Sequence, residues 1–125
     1  MAEKKKTKRE SVFQREVIRE LKRIFPGCIV MKNETGRYDG FPDLTVFIGR
    51  VWAMLEVKRS KDAAHRPNQD WWIDILNRMS FARFIYPENR AEVMNELKAF
   101  VKRRTSGILR RKKLDIFGRR IWRAA

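Results

Sequence analysis

Two carboxylates and an ammonium group fall where metal-assisted hydrolysis of a phosphodiester would use them. Asp43 closes the run Gly40-Phe41-Pro42-Asp43, and after twelve residues comes Glu56-Val57-Lys58. Carboxylates are hard oxygen donors suited to Mg²⁺, which keeps several of its waters and needs only one or two protein carboxylates besides substrate phosphate oxygens. A lysine beside them can orient or deprotonate the attacking water. A lone Glu-x-Lys triplet is common on exposed strand faces, where it is only solvated charge. Its pairing with Pro-Asp at the spacing of a hairpin is much more specific.

That spacing sets what the flanking elements must be. Asp43 to Ile48 is β-rich, Gly49-Arg50 is a turn signal, and Val51 to Lys58 is a second β-rich run that folds back on the first. The start of one strand then meets the end of the other, so Asp43 lies beside Glu56 and Lys58. Side chains alternate along a strand, which puts Glu56 and Lys58 on one face and Val57 on the other.

Upstream, Phe13, Val17, Leu21 and Ile24 recur at helical spacing until Pro26-Gly27 stops the pattern. At 100° per residue Glu10 projects onto the centre of that apolar stripe and Gln14 onto its edge, while Glu16 points more than a quarter turn away. Glu10 is therefore the helix acid best placed to reach a site built over the sheet, with Glu16 and then Glu20 as alternatives. Thr7-Lys8-Arg9-Glu10 also fits a capping box, which would use the same carboxylate to satisfy a backbone amide. Both roles stay open at this level.

Ile29-Val30-Met31 reads as a first strand leading into a polar loop from Lys32 to Gly40, where Gly36 and Gly40 serve turns that need positive φ. Lys32 and Arg37 in this loop, and Arg59 directly after the Glu-x-Lys strand, are phosphate contacts or solvated charges. Pro67-Asn68 starts a second helix carrying Trp72, Ile73, Leu76 and Met79 on one face, with Gln69 on the same side. Taken alone, Gln69 reads as a surface polar residue, Trp72 as core, and Trp71 as a platform for DNA or a cover for the sheet. Ala82 to Tyr86 is another strand ended by Pro87, and Asn89 with Glu92 fits the cap of a last helix carrying Val93, Leu97, Phe100 and Val101. The order α-β-β-β-α-β-α predicts an α/β fold, a small mixed central sheet flanked by helices.

Glu10, Gly40-Phe41-Pro42-Asp43, Glu56-Val57-Lys58 and Gln69-Asp70-Trp71-Trp72 occur in an order that resembles the PD-(D/E)xK nuclease superfamily. The likeness is greater to its virus-type replication-repair nuclease (VRR-NUC) branch, which includes small phage proteins and is akin to Holliday-junction resolvases. The resemblance spans roughly residues 8 to 100. It implies a restriction-endonuclease-like core and a Mg²⁺-dependent endonuclease, with Mn²⁺ substituting for Mg²⁺. Asp43, Glu56, the Val57 carbonyl and Glu10 would hold the metal, and Lys58 with Gln69 would manage the water. It also implies branched DNA as the substrate, with plain or nicked duplex as the alternative.

Charge bounds the partner. Thirty Lys and Arg against fifteen Asp and Glu give +15 in 125 residues, an excess that points to a polyanion, with nucleic acid first. No apolar run approaches the roughly 18 residues that span a bilayer, and the lysine-rich start lacks a signal-peptide core, so a cytoplasmic protein is expected, in the host cytoplasm if viral. One cysteine, Cys28, and one histidine, His65, leave no cysteine-based zinc site and no two-histidine chemistry, which disfavours HNH-type nucleases. Cys28 reads as core filling and His65 as a loop residue. The sequence divides into a basic arm (1–9), a nuclease domain (10–101) and a basic extension (102–125). The extension holds ten Lys and Arg against Asp115 alone, +9 of the +15. Its Arg103, Arg104, Arg110, Arg111, Lys112 and Lys113 are expected on nucleic acid, and its apolar residues offer packing or a homodimer contact, since one metal site per chain makes two cuts only in a symmetric pair. A basic protein that binds or packages nucleic acid without cutting it is the other class of function.

Overall fold

A computed structural model of the chain describes residues 7–34 and 37–112, with side chains described as far as Ser106. The elements run α1 (Lys8–Ile24), β1 (Ile29–Lys32), β2 (Leu44–Ile48), β3 (Val51–Val57), α2 (Gln69–Met79), β4 (Phe81–Ile85) and α3 (Arg90–Lys112). The described residues thus form a small α/β fold with one mixed four-stranded sheet and three helices.

The strands lie in chain order, β1-β2-β3-β4. The first three pair antiparallel, with Leu44 opposite Leu55 and Ile48 opposite Val51 across the two-residue turn at Gly49 (φ +61°) and Arg50. This is the register that the turn residues predicted. β4 then runs parallel to β3, with Val57 beside Ile85, because the intervening α2 crossover carries the chain back to the end of the sheet where β3 begins.

Alternation sorts the sheet into two faces. Leu44, Val46, Ile48, Ala53, Leu55 and Val57 are buried on one, together with Phe13, Val17 and Leu21 of α1 and Val93, Leu97 and Val101 of α3. Each fully buried branched side chain here contributes roughly 1.5–3 kcal/mol through area removed from water. α2 packs against β3 and β4, and the hydrogen bond from its Gln69 to Glu56 places it on the other face.

Several boundaries differ from the sequence reading. Lys8 and Arg9 already belong to α1, whose cap is Thr7. β4 begins at Phe81, one residue early. Asn89 does not cap α3 with its side chain. Its Oδ1 accepts from Tyr86 N (2.8 Å) and its Nδ2 donates to Phe84 O (3.0 Å), closing the turn that leaves β4. The change in composition after Val101 is not a structural break, because α3 continues to Lys112. Lys and Arg are good helix formers, and Val101 and Thr105 remain buried. Met79, expected inward, is 61% exposed at the end of α2, and Trp72 is only half-buried. Cys28 is half-buried against the core, and burial pushes its thiol above the usual range, with Lys22 partly opposing. Gly36 and Lys113 lie outside the described residues. No described helix is long and apolar enough to cross a membrane.

Candidate active site

The end of β3 and the start of β2 bring the two carboxylates into one place, and the backbone itself ties them. Continuing the register beyond Leu44 and Leu55 sets Asp43 opposite Glu56, and Val57 N donates to Asp43 Oδ2 at 2.9 Å. Both acids are buried, Asp43 at 4% and Glu56 at 0% relative exposure. Burial of charge is costly unless it is paired and hydrogen-bonded, and the partners come from the next two segments.

Gln69 is the hinge of the arrangement. It is 1% exposed, the reverse of the surface residue that its polarity suggested. Its Nε2 donates to Glu56 Oε2 (3.0 Å), and its Oε1 accepts from Lys58 Nζ (2.7 Å) and from Arg66 N (2.7 Å). Lys58 Nζ also donates to Ala64 O (3.1 Å) and stands 3.8 Å from Glu56 Oε2. One side chain at the first position of α2 therefore fixes both the carboxylate and the ammonium. A two-residue offset along β3 puts Glu56 and Lys58 on the same side, as alternation requires.

Holding Gln69 there is a matter of long-range packing. Gly40 (φ +82°) lies so close to α2 that a Cβ would stand 2.5 Å from Pro67 O and 2.9 Å from Gln69 N. Trp72 Nε1 donates to Asp39 O (3.0 Å), and Tyr38, Phe41 and Trp72 form an aromatic cluster with ring centroids 4.9–6.1 Å apart. Asn68, which precedes α2, takes a left-handed backbone (φ +70°), a conformation that asparagine tolerates better than most residues. The Pro-Asp end of β2 is held from the other side by Asn33. Its backbone N–H donates to Asp43 O (2.7 Å), its Nδ2 to Pro42 O (3.0 Å), and its Oδ1 accepts from Thr45 Oγ1 (3.0 Å). Sequence inspection missed Asn33, whose only signal is a short polar residue just past a strand end.

Glu10 is 8% exposed on the inward face of α1, with Gln14 below it at 5%, while Glu16 and Glu20 turn away to Arg90 (3.2 Å and 2.5 Å). Thr7 Oγ1 accepts from Glu10 N at 3.0 Å, the forward half of a capping box. α1 packs on the Val57 face of the sheet whereas Glu56 points toward α2. The helix acid and the strand acid thus approach from opposite sides. Glu10, Asp43 and Glu56 do not form a tight three-acid group: among the described residues no three His, Cys, Asp or Glu side chains gather closely enough to hold a metal by themselves. Glu10→Gln is still expected to lower activity at least tenfold more than Glu16→Gln, because only Glu10 places charge on the buried face. Equal, mild losses in steady-state cleavage would reduce Glu10 to a cap.

The candidate phosphate contacts are dispersed. Lys32 pairs with Leu44 and so stands on the sheet face opposite to Glu56. Arg37 and Arg59 are exposed, and Arg103 and Arg104 are exposed along α3, Arg104 over the Phe100 ring at 4.7 Å. Arg110, Arg111 and Lys112 continue that helix. His65 is better held than a loop residue need be: its ring stacks on Phe84 at 4.1 Å and its Nδ1 lies 2.8 Å from Asp70 Oδ1. Trp71 is 57% exposed with an edge toward Trp72.

Compared with protein-family models, with curated proteins and with solved structures, the chain matches none.

Proposed function

We propose that the protein is a Mg²⁺-dependent DNA endonuclease with a restriction-endonuclease-like core, selective for branched DNA such as a four-way junction. The observation that carries this reading is the buried constellation Asp43, Glu56, Lys58 and Gln69 at one end of the sheet, in a chain of net charge +15. A purely structural ion pair would be expected to gain nothing over apolar packing at this depth. Buried clusters of charged groups like this one concentrate at functional sites.

The residues present fit the metal. Asp43 and Glu56 supply two carboxylate oxygens and Val57 a carbonyl oxygen, hard donors that Mg²⁺ accepts while keeping waters for itself, and Mn²⁺ fits the same donors. When bound, the cation would neutralise charge on the phosphate and lower the pKa of a water. The chain's own part is positional. Val57 N–H fixes Asp43, Gln69 fixes Glu56 and Lys58 relative to each other, and Lys58 presents its ammonium toward the attacking water. Glu10 adds negative charge from the α1 side. The basic surface, including Arg59, Arg103 and Arg104, binds phosphates, and a homodimer would supply the second cut that a junction needs.

Incubating the purified protein and Mg²⁺ with junction, flap, nicked, single-stranded and plain duplex DNA tests this directly. Cleavage that is abolished by EDTA and strongest on the junction is expected. Tight binding of every substrate with no cleavage in Mg²⁺ or Mn²⁺ would replace the nuclease with a basic binding or packaging protein.

A further inference from the structure

A cavity of about 450 Å³ opens between the first turns of α1 and the segments that leave β3 and β4. Val12, Phe13 and Pro87 give it an apolar floor, and Lys8, Arg9 and Arg59 stand at its edge. Two more lining residues, Arg90 and Glu16, are bonded to each other at 3.2 Å, with Arg90 also 6.0 Å above the Phe13 ring, so they form wall and not free charge. Lys8, Arg9 and Arg59 are exposed and have no ion-pair partner among the described residues. Arg59 directly follows Lys58 in the chain, but the lining lies on the α1 side of the sheet and includes none of Asp43, Glu56, Lys58 or Gln69.

We propose that this cavity receives one unpaired nucleotide of the bound DNA, its base against Val12, Phe13 and Pro87 and its phosphate at Lys8, Arg9 and Arg59. The inference rests on the reading that the partner is DNA and gives that reading a substrate feature. Charge complementarity selects a polyanion, and the apolar floor selects one whose units carry a flat, weakly polar body. In a plain duplex the bases are paired and stacked, out of reach of a lateral cavity. A nucleotide at a flap, gap or branch point is already released, so it enters without the unstacking cost. The cavity therefore accounts for selection of DNA structure without sequence readout. An acidic peptide would satisfy the three cations and leave the floor unused.

The test is equilibrium binding by fluorescence anisotropy, with the full chain in Ca²⁺. The ligands are a labelled duplex, the same duplex with a short unpaired flap, that flap with an abasic sugar at its first unpaired position, and poly-glutamate as a competitor. The wild-type protein should bind the intact flap about tenfold more tightly than the abasic one, the lower range of what one base on an apolar platform contributes. Val12→Trp, which fills the cavity from an exposed position, should lose that preference and stay within about twofold of wild type on plain duplex. Arg59→Ala should weaken flap binding more than duplex binding. Indifference of the wild-type protein to the missing base would overturn the proposal, and that comparison stands even if Val12→Trp folds poorly. Equal losses by Val12→Trp on flap, duplex and poly-glutamate would also overturn it, by making the region a general polyanion surface. Because the readout is binding, a protein that prefers the intact flap and cuts nothing keeps the cavity and loses the nuclease. One that cuts and ignores the base does the reverse.

Discussion

Asp43→Asn and Glu56→Gln are each expected to lower DNA cleavage in Mg²⁺ by about a thousandfold or more, while binding to the same DNA in Ca²⁺ or EDTA stays within about threefold. The size follows from the several kcal/mol of transition-state stabilisation that a catalytic cation supplies, at about 1.4 kcal/mol per tenfold in rate. Each amide keeps the shape and one carbonyl acceptor of the acid it replaces. The amide introduced in place of Asp43 can still accept from Val57 N, and the one in place of Glu56 can still accept from Gln69 Nε2, so the hydrogen bonds at 2.9 Å and 3.0 Å survive. Glu56→Ala would be a poorer probe. Besides the charge, which Glu56→Gln also removes, it would delete the acceptor of the buried Gln69 Nε2, and leaving a buried donor unsatisfied costs about 1–3 kcal/mol. Initial rates on the preferred substrate, beside anisotropy titrations on the same molecule, separate the two effects. Cleavage by Asp43→Asn at the wild-type rate would end the proposal that these carboxylates hold the metal.

The parts of this site that were legible in the sequence are those fixed by local periodicity. Alternation across Asp43–Ile48 and Val51–Lys58, with Gly49-Arg50 between them, specified the hairpin and therefore the meeting of Asp43 with Glu56. The stripe Phe13, Val17, Leu21 phased α1 well enough to put Glu10 and Gln14 inward and Glu16 outward. What was not legible depends on contacts between segments far apart in the chain. Nothing near Gln69 says that it is buried: its position follows from Gly40, Asp39 and Tyr38 some thirty residues earlier, which seat α2 against the sheet. Likewise, Asn89 satisfies the sequence pattern of a cap, yet its side chain meets the backbone of the preceding strand. Met79 fits the helical stripe, yet at the last position of α2 it is 61% exposed. The rise in charge after Val101 likewise does not mark the end of α3, which continues to Lys112. Charge density marks where a helix leaves the core, not where it stops.

Gly40→Ala is expected to lower the melting temperature by roughly 10–20 °C and cleavage by more than the loss of folded protein explains. Two independent terms add. At φ +82° a side chain occupies the left-handed region, at about 1–2 kcal/mol. The new Cβ would also stand 2.5 Å from Pro67 O and 2.9 Å from the Asn68 carbonyl carbon and Gln69 N, all backbone atoms that cannot swing aside. Relief comes only by moving the start of α2 away from the loop, at a further cost of overpacking, about 1–3 kcal/mol. At roughly 4 °C per kcal/mol, where the ranges for smaller and larger domains meet, a sum of about 2–5 kcal/mol gives roughly 8–20 °C, which spans the stated range. Displacing α2 also carries Gln69 away from Glu56 Oε2 and Lys58 Nζ, so a folded Gly40→Ala protein should resemble Gln69→Ala in its kinetics. Thermal unfolding by circular dichroism, with cleavage assayed well below the transition, distinguishes the two consequences. A variant that melts at the wild-type temperature would show that the loop and α2 are not wedged together at Gly40. One that is destabilised yet fully active would show that Gln69 does not set the geometry of Glu56 and Lys58.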